Sequence, residues 1–358
     1  LAVTAAQRLG DPAREAVALG ALAHARFADG QWGAAVEAQQ RAVVLAHRRG
    51  DPTEIAAVTA NLATLVAYVG DAVLACQSAL DAEQRFANLH AEGNQRLYNR
   101  IILARCAAHQ GWLGQAWQTL APVAQQDATA AGDTGSAMAR IGMAGLTIWL
   151  GRPDLARTVL PSPDTDLLPL ARAVLLLCRA LLGGMAGQPD EAALAELQRL
   201  GVAHPSLLDD PVLSMEWSRV GDAARAVQHL RAVRRRAEVA GAVGMARSLA
   251  VREVQRLMEI EPVAAADLAH SLHLQAAQAW HPSTYPPEAW SIMADALGGR
   301  FEVEAQACRL AAVRWIRQAH LPDPDEAWRE SFERGNRWNR RLLEPTAASV
   351  TPSQITGW

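Results

Sequence analysis

Three histidines, two groups of arginines and four cysteines are the side chains in this sequence best suited to chemistry, and each set also has a plainer use. His270, His273 and His281 with Asp267 form the one grouping of metal-ligand character, because residues three apart on a helix share a face. Surface histidines beside a loop are the simpler account. Arg231, Arg234, Arg235 and Arg236 fall on one predicted helix and could meet phosphate. A solvated face near a helix C-terminus, where positive charge suits the dipole, explains them more simply. Arg329, Arg334, Arg337, Arg340 and Arg341 interleave with Trp328 and Trp338, as in surfaces that stack single-stranded nucleic acid. An amphipathic cap closing a stack of repeats has the same composition. Cys76, Cys106, Cys178 and Cys308 are far apart with no C-x-x-C, which fits reduced core thiols better than disulfides or a metal site.

The known catalytic patterns are missing. Neither a phosphate loop, G-x-x-x-x-G-K-[ST], nor G-x-G-x-x-G, G-x-S-x-G or H-E-x-x-H occurs. No nucleophile, base and orienting partner can be picked out together. The expectation is a protein that is not an enzyme and needs no cofactor or metal. With 34 basic and 37 acidic residues the whole chain presents no nucleic-acid or anionic-membrane field. The strongest apolar run, Ala173 to Leu182, is broken by Arg179, so no membrane span is expected. Residues Leu1 to Gly10 lack a secretory pattern, and with the thiols this predicts a cytoplasmic location. The absence of an initiating Met suggests a piece of a longer protein.

The elements that must position any site are helices. Ala, Leu, Val, Gln, Glu and Arg dominate, aromatics are 5%, and strand-forming residues are scarce. Short glycine turns recur at Gly30, Gly70, Gly111, Gly151, Gly187 and Gly221, 34 to 41 residues apart. A second set lies between them at Gly10, Gly50, Gly93 and Gly132. Gly stops one helix in the left-handed conformation, and the Asp or Pro that follows starts the next. Each repeat is therefore two helices and two turns. Seven residues before the first-set glycines stand Ala23, Ala63, Ala104, Ala144, Ala180 and Ser214; five residues after them stand Ala35, Ala75, Ala116, Ala156, Ala192 and Ala226. Small residues are needed where two helices cross closely. Beside the first set stand Leu22, Leu62, Leu103, Met143, Arg179 and Leu213, a large apolar knob in every unit but the fifth.

This Leu-small pair, turn Gly and later Ala resemble the tetratricopeptide repeat over about residues 13 to 240. The early units are longer than the ~34 residues of the standard repeat. In that they look like the C-terminal sensor regions of large bacterial transcription activators and signal-transduction ATPases related to the maltose regulator. The segment from Trp315 through Trp328 and Phe332 to Leu343 is similar to the closing segment of such regulators. The resemblance implies an all-α fold, an α-α superhelix of about seven to eight helical pairs with a C-terminal capping helix. Regular repeats would cover 1–240, degenerate repeats and the cap 241–343, and a flexible tail 344–358. Helical stretches are expected near 242–259, 262–279 and 302–319, with the Pro-rich His281 to Pro287 between the last two.

First helices of such repeats line the concave side, where ligands usually bind. Carried over by the glycine register, these positions are Val17, His24 and Phe27, then Thr64 and Tyr68, then Tyr98, Arg105 and His109, then Met138, Ile141, Ile148 and Trp149. The implied groove would be His24, Phe27, Thr64, Tyr68, Tyr98, Arg105, His109 and Trp149, with Arg105 an exposed anion contact of little weight in folding. The plainer alternative is that these side chains pack the interior of a tight superhelix. The resemblance implies a recognition or sensor module taking a protein or peptide partner or a small-molecule inducer. DNA-binding and ATPase domains would be covalently attached, with no direct nucleic-acid contact by this part. A structural scaffold for protein assembly and an unrecognised helical enzyme are the competing readings.

Overall fold

The structure, a computed structural model, describes residues 2–344 apart from 125–133, 163–164, 187–189, 205–206, 208–209, 220–221, 276–279 and 323–325. The turns predicted at Gly132, Gly187 and Gly221 and nearly all of the predicted tail lie outside the described residues. Among the described residues there is no strand, and helices pack in consecutive pairs, an arrangement consistent with an α-α superhelix. The first half holds α1 (Ala2–Arg8), α2 (Pro12–Ala28), α3 (Trp32–Arg49), α4 (Pro52–Val69), α5 (Ala72–Asn88), α6 (Asn94–His109), α7 (Leu113–Ala124), α8 (Thr134–Trp149) and α9 (Pro153–Val159). The second half holds α10 (Pro169–Met185), α11 (Glu191–Ala203), α12 (Pro211–Trp217), α13 (Ala223–Val239), α14 (Val243–Ile260), α15 (Pro262–Leu274), α16 (Pro286–Leu297), α17 (Glu302–Gln318), α18 (Glu326–Glu330), a π-helical turn Ser331–Gly335, and α19 (Arg337–Leu343).

Local chemistry explains the starts. Asp11, Asp51 and Asp210 each accept two backbone N–H bonds from the first turn of the next helix, and Pro12, Pro52 and Pro211 follow them, where a missing N–H costs nothing. At the stops, Gly50 and Gly70 adopt the left-handed conformation that closes α3 and α4.

Of the aligned small residues, Ala23, Ala63, Ala104, Ala144, Ala35, Ala75, Ala116 and Ala156 are buried at the helix crossings. Leu is expected to overpack such a site by about 1–3 kcal/mol. Ala104→Leu and Ala116→Leu should therefore each lower the urea midpoint, and a parental midpoint in both would mean that these crossings are loose. The fifth unit departs from the register. Ala192 is exposed and Ala193 is buried instead, because N-cap Asp190 stands three residues after Gly187, whereas N-cap Asp71 directly follows Gly70. Arg179, which takes the place of that unit's knob, turns to Asp190 at 3.2 Å.

The stretch around Ala173 lies in α10, of 17 residues; the one described helix long and apolar enough to cross a membrane is α4, 18 residues with mean hydropathy 1.2. It packs between α3, α5 and α6, with Leu62, Ala63, Leu65 and Val66 buried. The C-terminal segment is more than the expected cap on the last pair. It packs on α16 and α17, but Trp328 meets Trp117 edge-on at 5.0 Å, and buried Phe332 joins the core of α4 to α8. Helix α16, which the sequence reading did not delimit, is buried along most of its length, as is α14.

Glycine has a second use here, at places where backbones touch. A Cβ on Gly70 would stand 2.5 Å from the Gly244 Cα, and one on Gly151 or Gly335 would overlap the backbone of the opposing turn. Beside these, Gly114 donates its N–H to the His320 carbonyl and His320 donates to the Gly111 carbonyl, both at 2.7 Å. The turns of the first half are thus fastened to residues of the second.

Candidate functional site

The inner wall is built by α4, α6 and α8, whose first-helix positions point toward the second half of the chain. Tyr68, near the end of α4, is held among aromatic rings: Phe27 at 4.7 Å, Trp32 at 5.3 Å and His281 at 6.2 Å between centroids. Its hydroxyl donates to Asp210 at 3.2 Å. Burial, then the Asp210 charge, pushes the phenol far above its ordinary range, so it stays a neutral donor.

One helix pair further along the wall, His109 of α6 places Nδ1 3.0 Å from the Thr284 carbonyl. A carbonyl only accepts, so Nδ1 carries the proton. Burial lowers the His109 pKa to about 4, against the opposing pull of that carbonyl bond. Arg105 reaches the Ser283 hydroxyl with Nη1 at 3.4 Å. Trp149 lies 5.0 Å from the Tyr285 ring, and its own carbonyl accepts a bond from the Asn336 amide at 2.9 Å.

These four wall residues therefore meet one segment, the inner loop 281–285. The loop is anchored from behind, where the His281 N–H and the Thr284 hydroxyl both reach the Ser248 Oγ of α14, at 2.9 and 2.8 Å. The His281 Nδ1 accepts the Ser283 N–H at 3.2 Å, which leaves that nitrogen no room for a proton. Burial, then the nearby Arg105 and His109, holds the His281 pKa well below its ordinary value. Tyr285 donates to Asn339 of α19 at 2.7 Å. Part of the wall is thus filled by the chain itself.

The loop leaves another part open. A cavity of about 340 Å³ lies between α4, α6 and α8, with Thr64, Tyr98, Arg105 and Met138 from the predicted positions on its wall. Asn61, Gln95 and Asn99 add amides, and Ile101 and Ile102 add apolar surface. Asn99 is oriented by its Nδ2, which donates to the Ala79 carbonyl at 2.9 Å. Among the described residues no carboxylate pairs with Arg105, and its Nε is buried without an acceptor. Arg105 is thus half-buried and tied to the inner loop, unlike the exposed contact expected.

Of the predicted groove residues, Tyr68, Arg105, His109 and Trp149 hold the inner loop, Thr64, Tyr98 and Arg105 share the cavity, and Phe27 supports Tyr68. His24 is exposed on α2 and bonds the Gly20 carbonyl of its own helix, apart from both. The amides were missed, although Asn61 in an Ala- and Leu-rich helix and Asn99 before Ile101 and Ile102 are polar exceptions that the sequence displays.

The other candidate groups are dispersed or paired. His270 stacks on Phe301 at 4.0 Å, the His273 Nδ1 is 3.7 Å from the Cys308 Sγ, and His281 sits in the inner loop, so the three do not converge. Arg231 and Arg234 both reach the buried Glu253, at 2.9 Å each, while Arg235 and Arg236 are exposed, as on a solvated face. In the terminal segment Arg341 forks onto Asp295, Arg334 reaches Glu330, and Arg337 lies over the Trp338 ring.

No protein-family model matches the chain, and no curated protein is significantly similar to it in sequence. The class that the fold defines is an all-helical protein of consecutive helix pairs, closed around a wall that is partly filled and partly open.

Proposed function

We propose that this chain is a non-catalytic recognition module of a bacterial transcription or signalling regulator, built from tetratricopeptide-like helix pairs and acting in the cytoplasm. Its inner wall takes a peptide, a protein segment or a small ligand. The observation that carries this reading is the open cavity, where Thr64, Tyr98 and Arg105 from successive helix pairs meet around about 340 Å³. That volume falls within the range of small-molecule sites, roughly 300–1,000 Å³, with apolar walls and a few polar groups. The loop 281–285 supports it from the other side, since the wall already holds a turn of chain through backbone and ring contacts.

The test is a thermal-stabilisation screen of peptides and metabolites on the whole chain. A ligand at about 100 times its Kd should stabilise by about 2.7 kcal/mol. Hits should be lost in Tyr98→Ala and kept in His24→Ala. Hits indifferent to Tyr98 would place recognition away from this wall. The filled part of the wall favours a second reading, a scaffold that assembles with other proteins through its outer surface. Association of the ligand-free chain, unaffected by Tyr98→Ala, is the outcome that reading expects.

A further inference from the structure

Among the described residues Arg105 is the one charged side chain on the open cavity, and no described carboxylate meets it. It lines a space whose other walls are amides, a hydroxyl and apolar side chains. Its sole hydrogen bond among the described residues is the long one to Ser283, and no described carboxylate lies within ion-pair distance. The titratable groups beside it supply no negative charge: His109 and His281 are at most cationic, and burial pushes the Cys106 thiol up so that it keeps its proton. Other half-buried and buried arginines meet their acceptors at closer range: Arg96 meets Glu83 at 2.9 Å, Arg219 meets Glu288 at 2.8 Å, Arg252 meets Glu288 at 2.9 Å, and Arg140 meets the Val159 carbonyl at 2.8 Å. A cation withdrawn from water without a partner is costly, and the cost is relieved by an anion beside it.

We infer that the Arg105 cavity is a binding site for a small organic monocarboxylate with a branched apolar body. The inference rests on the reading that the inner wall binds a ligand, and it names the chemical class. One guanidinium matches one carboxylate, with a planar fork that fits both oxygens. A dianion such as phosphate would bring a second charge that no cavity side chain meets. Ile101, Ile102 and Met138 offer the apolar body its contacts, and Thr64 and Tyr98 stand at the exposed mouth.

The experiment titrates the whole chain with three probes, 4-methylpentanoate, 4-methylpentanamide and inorganic phosphate, by calorimetry and melting. The carboxylate should bind saturably, at least tenfold more tightly than either of the others. Arg105→Gln should weaken it at least tenfold, and His24→Ala, exposed on α2 apart from the cavity, should leave it unchanged. Because Arg105→Gln could disturb the inner loop, Thr64→Tyr serves as the second variant. Thr64 is exposed, so a larger side chain there narrows the mouth while the guanidinium stays in place. It too should weaken carboxylate binding at least tenfold. Equal binding of the amide, or Arg105-dependent phosphate binding as tight as the carboxylate, overturns the monocarboxylate assignment and leaves the wall as a recognition surface. Carboxylate binding that survives both Arg105→Gln and Thr64→Tyr overturns the assignment of this cavity altogether. Absence of binding by any probe overturns the monocarboxylate assignment, while the Tyr98-dependent screen independently decides the broader reading.

Discussion

Glu288→Gln is expected to destabilise the protein by about 3–5 kcal/mol, the usual cost of removing one partner from a buried ion pair. Glu288 opens α16 and is buried, and it receives both nitrogens of Arg252, at 3.0 and 2.9 Å, and both of Arg219, at 2.8 and 3.1 Å. Burial pushes its carboxyl up, but the two guanidiniums outweigh that and hold it well below the ordinary carboxylate range. Glu216 pairs with Arg219 at 2.6 Å, so the cluster joins α12, α14 and α16 with two carboxylates against two guanidiniums. Gln at 288 leaves Arg252 buried without a carboxylate. The paired change Glu288→Leu with Arg252→Met removes both members and keeps the Arg219–Glu216 pair, so it should recover most of the loss. Urea unfolding of the three proteins decides the matter. A parental midpoint for Glu288→Gln would mean that the cluster is far more hydrated than its geometry implies.

Acid is the second strong perturbation. His109 titrates near 4 in the folded protein against about 6.5 unfolded, so between those values the unfolded chain binds more protons. Stability is then complete above about pH 6.5 and is lost as pH falls toward 4, by about 1.4 kcal/mol per unit or about 3 kcal/mol in all for His109. His281 shifts in the same direction and steepens the loss. Glu288 has the depressed carboxylate sign, so its contribution is present above its unfolded value and begins to fail only below about pH 4.5. The interval from pH 6.5 to 4.5 therefore leaves Glu288 silent, while Asp210, whose carboxyl burial raises, has the opposite sign to the histidines. Urea midpoints at pH 7.5, 6.0 and 5.0 should fall steadily, and His109→Gln should flatten the slope. A pH-independent midpoint across that interval would show that the inner loop admits water and a proton without loss.

The helix pairs were legible because their causes are local. Asp11, Asp51 and Asp71 cap within three residues of themselves, and Ala63 or Ala116 is small because of its immediate neighbours. The fifth unit failed at Ala192 for a local reason too, a later N-cap than the turn glycine suggested. What could not be read is what the wall faces. Tyr68 meets Asp210 and Arg105 meets Ser283, partners 142 and 178 residues away, and no periodicity in α4 or α6 encodes them. The Pro-rich stretch after His281 reads as a break between helices, and its burial against α6 and α14 depends on the closure of the whole. In the sequence Gly70 is a turn residue, and its approach to Gly244 has the same non-local origin.

That closure changes how the chain must fold. In an open array each pair touches only its neighbours, so units can melt and reform one at a time. Here the Gly70–Gly244 and Gly151–Gly335 crossings, and the bond from Asn336 to Trp149 spanning 187 residues, bind early pairs to late ones. Contacts of such sequence separation raise the contact order, and their loop-closure entropy must be met before they reward the chain. During synthesis the wall formed by α4, α6 and α8 waits, with Tyr68, Arg105 and Trp149 uncovered, until the inner loop and the terminal helices emerge.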